Sequence, residues 1–132
     1  MIETLVAEVM TAPASTIEAT ATAAEAAERL RDRAVGSLVV VGDDGIAGIV
    51  VESDIVVLVA EHRDPGLPVS SVMTTPVVVV ESGAHIAAAA ERMQDHGIKR
   101  LPVVDDGDLV GVVTTTDLAY YLPRYRTEIV EN

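Results

Sequence analysis

Two aspartates stand at equivalent places in the chain and are the residues best suited to hold a ligand. Asp54 and Asp117 each follow a glycine by six positions, and 63 positions separate the two aspartates. Each is predicted at the start of a helix, where the helix dipole favours the ionised carboxylate. An ionised carboxylate accepts two charge-assisted hydrogen bonds, each contributing about 1.5–3 kcal/mol. The alternative interpretation is that both aspartates only begin helices.

The other reactive side chains form no pattern typical of catalysis. The chain has no cysteine, and its three histidines (His62, His85 and His96) are scattered. Thiolate chemistry is therefore excluded, and the histidine spacing does not indicate a metal site. There is no Ser-His-Asp order and no phosphate-binding loop ending in Gly-Lys-Ser/Thr. We predict a protein that is not an enzyme and requires no cofactor or metal.

The charge and hydropathy of the chain restrict its partners. The net charge is −12, which opposes binding to nucleic acid and to anionic membranes. The longest apolar run, Ile55 to Ala60, is too short to span a bilayer, and the N-terminus does not resemble a signal peptide. We therefore expect a cytoplasmic protein. The acidic excess with a single lysine, Lys99, is compatible with either a halophilic source or a GC-rich genome.

An internal repeat determines the architecture. When the sequence is shifted by 63 positions it aligns with itself without a gap between residues 6–56 and their partners. An Ala- and Val-rich composition produces some matches by chance, but it does not align methionine, proline, glycine and aspartate in one register. The matched pairs include Met10/Met73, Pro13/Pro76, Asp32/Asp95, Leu38/Leu101 and Gly48/Gly111.

Each copy predicts a β-α-β-β-α unit. Capping patterns, helical periodicity and Gly-Asp turns supply the boundaries. The first copy predicts a strand near Ala14 to Glu18, a helix capped by Thr22 and ended by Gly36, strands Leu38 to Val41 and Ile46 to Val51, and a helix from about Asp54 to Glu61 capped by Ser53. The second predicts a helix capped by Ser82 and ended by Gly97, strands Leu101 to Val104 and Leu109 to Val113, and a last helix capped by Thr116 and ending before Pro123.

One unit of about 60 residues has too little interior to be stable alone. We therefore predict an α/β (α+β) fold in which two tandem repeats pack through their sheets with approximate two-fold symmetry. The predicted limits are residues 1–62 for the first repeat, 63–68 for a linker, 69–123 for the second repeat and 124–132 for a polar tail.

The doubled pattern resembles the CBS domain family. Val9-Met10-Thr11-Ala12-Pro13 and Val72-Met73-Thr74-Thr75-Pro76 carry the resemblance at the start of each copy. The hairpin Leu101-Pro102-Val103-Val104-Asp105 leading to Gly111-Val112-Val113-Thr114-Thr115-Thr116-Asp117 is very similar to the family pattern, and its counterpart in the first copy is weaker. The resemblance covers about residues 5–122.

The resemblance implies a regulatory pair, or Bateman module, with two clefts that hold adenine nucleotides or other adenosyl ligands. In each cleft the family's aspartate binds the ribose hydroxyls, while base and phosphates meet the other repeat's leading strand and helix-to-strand loop. Candidate ligands are AMP, ADP, ATP and S-adenosylmethionine. We expect a homodimer acting on a separate, unknown protein target. A ligand-free structural or dimerisation module is the alternative.

By this crossed arrangement the two clefts differ. Asp54 is expected with Ile98, Lys99, Arg100 and Pro102, and Asp117 with Val35 and Ser37. Ser53 and Thr116 are expected to cap helices or to contact ribose or phosphate. Thr114 matches the family's site threonine, whereas Val51 at the equivalent position has no hydroxyl. Because phosphate needs nearby cations in an acidic protein, we expect phosphorylated nucleotide in the Asp54 cleft and a less charged ligand, or none, in the Asp117 cleft.

Overall fold

The computed structural model describes residues 4–120, which form two compact units. The first-sheet unit is Ser15–Val77. The second-sheet unit combines the described residues up to Ala14 with those from Val78 onward. The predicted tail, residues 124–132, and the predicted end of the last helix before Pro123 lie outside the described residues.

The first-sheet unit is a three-stranded sheet with two helices. Its strands β1 (Thr16–Glu18), β2 (Ser37–Gly42) and β3 (Gly45–Val51) lie in that order, with β1 parallel and β3 antiparallel to β2. Helix α2 (Ala23–Arg33) connects β1 to β2, and α3 (Glu52–Ala60) follows β3 directly. The parallel pairing of β1 and β2 requires a crossover, which α2 supplies.

The second-sheet unit repeats this layout. Strands β4 (Val80–Glu81), β5 (Arg100–Asp105) and β6 (Asp108–Thr114) have the same order and pairing directions. Helix α4 (Ile86–His96) connects β4 to β5, and a further helix begins at residue 115 and continues to residue 120. Mixed α/β repeats with two three-stranded sheets confirm the predicted fold class.

Each unit is completed by a segment from the other sequence repeat. We call residues 5–13 and 68–76 the leading segments. The first contains α1 (Val6–Val9), and the fully buried Val6 packs in the core of the second-sheet unit with Leu101, Val103 and Val113. The second contains a 3₁₀ turn (Val69–Ser71), and the fully buried Val69 belongs to the core of the first-sheet unit. The compact units therefore differ from the sequence repeats by an exchange of leading segments.

The N-terminal ends of the helices confirm one predicted cap and correct three. Thr22 caps α2, since its Oγ1 accepts a 3.1 Å hydrogen bond from the Glu25 N–H. The other predicted caps lie at positions that the helices do not use as N-caps. The N-cap of α4 is His85 rather than Ser82. The N-cap of α3 is Val51 rather than Ser53. The last helix is capped by Thr114 rather than Thr116.

The first long helix of each repeat ends in a left-handed residue. Gly97 closes α4 with φ 63°, as predicted. Helix α2 closes at Ala34 with φ 53° rather than at Gly36, so the prediction for this end was wrong. The left-handed residue must be the one whose N–H reaches the last carbonyls of the helix, and the Ala34 N–H donates to Arg31 and Leu30 carbonyls.

Candidate functional site

Asp54 is held in place by the backbone of its own helix start. Its Oδ2 accepts a 2.8 Å hydrogen bond from the N–H of Val51, the N-cap of α3. Among residues 4–120, the Asp54 carboxylate has no other hydrogen-bond or salt-bridge partner. The side chain is half-buried, and its Oδ1 is left as an acceptor in a fixed position. This geometry suits an acceptor of hydroxyl hydrogen bonds.

Asp117 has the same arrangement with one hydrogen bond more. Its Oδ2 accepts from the Thr114 N–H at 2.9 Å, and its own N–H donates to Thr114 Oγ1 at 3.1 Å. This reciprocal pair is a capping box. Since Val51 has no hydroxyl, the matching bond is missing beside Asp54. The Thr114 hydroxyl is thus a cap acceptor, a role that the sequence prediction did not give it.

In both units the helix-to-strand loop lies beside the helix that carries the aspartate. The N–H of Glu52 donates to the Gly36 carbonyl at 3.2 Å, and that of Thr115 donates to the Lys99 carbonyl at 2.9 Å. Ser37 pairs across strands with Val51, and Arg100 pairs with Thr114. Each aspartate therefore has the loop of its own repeat within the same unit.

The guanidinium of Arg100 contains a buried hydrogen-bond donor that no described residue accepts. Its Nε is buried and has no hydrogen-bond partner within the part of the chain that the structure describes. A buried donor without an acceptor costs about 1–3 kcal/mol. An anionic ligand beside Arg100 would supply the missing acceptor.

The predicted site residues divide between the two units. Asp117, Thr114, the exposed Thr116, Lys99, the half-buried Ile98 and Arg100, and the buried Pro102 belong to the second-sheet unit. Asp54, the exposed Ser53, the half-buried Val35 and the buried Ser37 belong to the first-sheet unit. The crossed assignment joins residues of different units, so it stays a prediction.

The structure adds the leading segments to each set. Thr11 forms an antiparallel bridge with Val112, and Thr74 forms one with Ile49. Each bridge lies two strand residues before the helix cap, about 7 Å along the strand. The signal for these residues was the doubled Val-Met-Thr-x-Pro pattern, which marked the segments but did not show which sheet edge they join.

Neither a metal cluster nor a membrane span is found within residues 4–120. No group of three or more His, Asp or Glu side chains is placed to hold a metal ion. None of the described helices is long and apolar enough to cross a bilayer.

The CBS domain family model matches residues 6–61 and residues 69–124. The chain is a tandem CBS domain pair. The two matches cover most of the sequence and coincide with the repeats found by self-alignment, so the suspected family is confirmed.

A curated relative and two solved structures illustrate the similarity. An uncharacterized protein of Methanopyrus kandleri, MK0525, is 38% identical over 108 residues, which is 79% of this chain and 55% of that protein. This CBS pair thus spans about half the length of that relative.

Both solved structures are CBS proteins with bound adenosyl compounds. The CBS domain pair of protein MJ0100, solved with 5-methylthioadenosine and S-adenosyl-L-methionine, has a TM-score of 0.84 and 27% identity, with 92% of this chain and 98% of that one covered. The CBS protein PAE2072 of Pyrobaculum aerophilum, solved with AMP, has a TM-score of 0.81 and 31% identity, with coverage of 88% and 91%. A further neighbour of similar fold holds two coordinated zinc ions.

Proposed function

We propose that this CBS pair is a regulatory module that binds an adenine nucleotide or a related adenosyl ligand, with Asp54 and Asp117 accepting hydrogen bonds from ribose hydroxyls. The module then acts on a separate protein target. CBS pairs of the same fold are known with AMP and with S-adenosylmethionine, which supports this ligand class. AMP, ADP, ATP and S-adenosylmethionine are the ligands to be compared.

The observation that carries the proposal is the half-used carboxylate of each aspartate. In both units Oδ2 is fixed by a backbone N–H three residues earlier, and no described residue bonds Oδ1. A carboxylate oriented in advance loses little conformational entropy when it accepts a ligand hydroxyl. A residue that served only to begin a helix would need just the capping oxygen.

Arg100 supports the part of the proposal that concerns phosphate. Its buried Nε has no acceptor within the described chain, and Lys99 beside it is exposed. Two adjacent cations in a chain of net charge −12 create a local field that favours an anion. A nucleotide phosphate is an anion of suitable size and would satisfy the guanidinium directly.

Calorimetric titration with AMP, ADP, ATP and S-adenosylmethionine tests the proposal. The informative variants are Asp54→Asn and Asp117→Asn, because asparagine keeps an oxygen for the cap and removes the charge. We expect each substitution to weaken binding in its own cleft by at least about tenfold, since a charge-assisted bond is lost.

The matched controls are Asp32→Asn and Asp95→Asn. These aspartates are related by the same internal repeat, and both are exposed on helices. The control variants should bind like the parent protein. Folded protein that binds none of the four ligands across a range of salt concentrations would contradict the proposal, as would equal losses in test and control variants.

We propose further that Lys99 and Arg100 act on the ligand held by Asp54, which makes that cleft the one for phosphorylated nucleotide. The support is chemical: the equivalent loop positions, Gly36 and Ser37, carry no charge. Lys99→Met should then weaken the same binding event that Asp54→Asn weakens and leave the event that Asp117→Asn weakens unchanged. Loss of the event affected by Asp117→Asn would instead assign Lys99 to the Asp117 cleft.

We also propose that the protein forms a homodimer through α3. This helix exposes Val56, Val57 and Val59 at 65%, 49% and 65% of their surface. Val56 and Val59, three residues apart, share one face of the helix, and all three valines lie in an uncharged run of six residues in a strongly acidic chain, so two copies can meet there without bringing carboxylates together.

Sedimentation velocity over a range of protein concentrations tests the dimer. Val56→Glu should convert dimer to monomer, because it places a carboxylate in the centre of the contact. Ala88→Glu adds the same charge at an exposed position of α4 and should leave the dimer intact. A parent protein that stays monomeric at high concentration would contradict this proposal without affecting ligand binding.

The second candidate function, a dimerisation module without ligand, is favoured by Val51. This residue removes the cap hydroxyl from the first-sheet unit, so the two helix starts are not equally equipped. A dimer that binds no adenosyl compound and is unchanged by Asp54→Asn and Asp117→Asn would support this candidate.

A further inference from the structure

Two methionines at equivalent positions lie directly on glycines of the sheets. A Cβ added to Gly111 would stand 2.8 Å from Met10 Sδ, and one added to Gly48 would stand 2.5 Å from Met73 Sδ. In each unit the thioether therefore occupies the volume that any larger side chain at the glycine would fill. The contact occurs at equivalent positions of the two repeats, so it is a shared structural feature of both units.

The residue after each methionine fastens its leading segment to the sheet. The Thr11 and Val112 backbones exchange hydrogen bonds of 2.9 and 3.0 Å, and those of Thr74 and Ile49 exchange bonds of 2.8 and 3.2 Å. A methionine that left its glycine would pull on the bridge formed by its neighbour. The thioether contact and the attachment of the leading segment are therefore mechanically linked.

Met10 and Met73 are also more exposed than Met93, the other methionine among residues 4–120. Met10 and Met73 are partly exposed, whereas Met93 is 3% exposed within the core of the second-sheet unit. The protein has no cysteine that could react first. Since oxidation of methionine follows accessibility, Met10 and Met73 should react before Met93.

The space beside each glycine also holds a carbonyl oxygen. The Thr11 oxygen lies 2.7 Å from the added Cβ of Gly111, and the Thr74 oxygen lies 3.1 Å from that of Gly48. A sulfoxide oxygen is only a hydrogen-bond acceptor, so in this space it would meet a second acceptor. Oxidation should therefore disfavour the contact between each methionine and its glycine.

We propose that Met10 and Met73 are oxidation sites at which a hydroperoxide releases the leading segments from the sheets. The sulfur lone pair attacks the terminal oxygen of the peroxide, an S–O bond forms, and the O–O bond breaks. The thioether is oxidised by two electrons to the sulfoxide, and hydrogen peroxide is reduced to water after proton transfer. A sulfoxide is polar, whereas the site is built for an apolar thioether.

The consequence for ligand binding rests on the proposed function. Each leading segment is bridged to a strand residue two positions before the N-cap of the helix that carries the aspartate, so its release should weaken nucleotide binding. Oxidation would then turn the module off without any change to Asp54 or Asp117. Release of the segments themselves can be measured without any ligand, which separates the two proposals.

The experiment treats the folded protein with hydrogen peroxide and measures sulfoxide at each methionine by peptide mass spectrometry. Met10 and Met73 are expected to react at least about tenfold faster than Met93, which serves as the internal control. Hydrogen exchange of the oxidised protein should show lost protection at Thr11, Val112, Thr74 and Ile49. Methionine sulfoxide reductase should restore that protection.

The double substitution Met10→Leu with Met73→Leu supplies the matched variant. Leucine has nearly the same volume and no oxidisable sulfur, so the variant should keep its bridges with and without peroxide. Equal oxidation rates at Met10, Met73 and Met93 would overturn the proposal, as would sulfoxides at Met10 and Met73 with undiminished amide protection. If protection is lost but no adenosyl compound binds the reduced protein, the proposed function fails and the oxidation sites stand.

Discussion

The two units have the same strand order, and they differ in how their helices begin and end. In the first repeat Thr22 caps α2 with its side chain, α2 closes on Ala34, and the N-cap of α3, Val51, makes no side-chain bond. In the second repeat the N-cap of α4, His85, makes no side-chain bond, α4 closes on Gly97, and Thr114 caps the last helix. Each repeat therefore lacks caps that its copy has. The sheets and buried cores tolerate fewer residue differences between the two repeats, because buried side chains must pack against one another.

The two candidate sites differ at the start of the helix that carries the aspartate. Each carboxylate accepts one backbone hydrogen bond, and the capping box adds a second bond from the Asp117 N–H to Thr114 Oγ1 that Asp54 lacks. Asp54 nevertheless makes the same backbone hydrogen bond as Asp117, so the second bond is not needed to position the carboxylate. The second bond therefore affects the stiffness of the site and its hydroxyl chemistry, which is the kind of variation that lets two copies serve different ligands.

Adding a Cβ at Gly111 should destabilise the protein more than adding one at the equivalent Gly48. A Cβ at Gly111 meets the Thr11 carbonyl oxygen at 2.7 Å, which is backbone and cannot turn away. At Gly48 the closest atoms belong to the flexible Met73 side chain, and the Thr74 oxygen is at 3.1 Å. Gly111→Ala should reduce the free energy of unfolding by about 3 kcal/mol and Gly48→Ala by about 1 kcal/mol.

Urea denaturation measures both values. Gly83→Ala is the control, since a Cβ there has nothing within 4 Å, and its free energy of unfolding should change by less than about 0.5 kcal/mol. Equal losses at Gly48 and Gly111 would show that Met73 is as rigid as backbone, and the distinction drawn between the two contacts would be wrong.

The sequence predicted the repeat, the longer strands and the longer helices, because these depend on periodic patterns and turn residues within each copy. It did not predict the short helix α1 or the 3₁₀ turn Val69–Ser71. It also missed the N-caps at His85, Val51 and Thr114, since the residue at which the backbone becomes helical is not set by residue type alone. It also missed that Val6 and Val69 complete the core of the opposite repeat's sheet. Exchange of this kind leaves the periodicity unchanged, so no pattern within one copy reveals it.

The next effect concerns the caps beside the aspartates. Thr114→Val removes the acceptor for the Asp117 N–H and should reduce the free energy of unfolding by about 1 kcal/mol. Val51→Thr places a hydroxyl at the equivalent position of α3 and should gain part of that amount. Thermal melts of Thr114→Val, of Val51→Thr and of the double variant measure these changes. A stabilising effect of Thr114→Val would show that the Oγ1 hydrogen bond does not contribute to stability.

The smallest expected effect concerns the left-handed residues that close α2 and α4. Ala34 has φ 53°, where its Cβ is strained, and Gly97 adopts φ 63° without that cost. Ala34→Gly should therefore raise the free energy of unfolding by about 0.5 kcal/mol, because relief of strain exceeds the entropy gained by the unfolded chain. Gly97→Ala should lower it by about 1 kcal/mol. Both ends make the same pair of hydrogen bonds, from the left-handed residue's N–H to the carbonyls three and four residues earlier, so backbone strain is the difference that remains. Urea denaturation of the two variants side by side measures it, and a destabilising Ala34→Gly would show that the chain has relaxed around alanine and that the two helix ends are energetically equivalent.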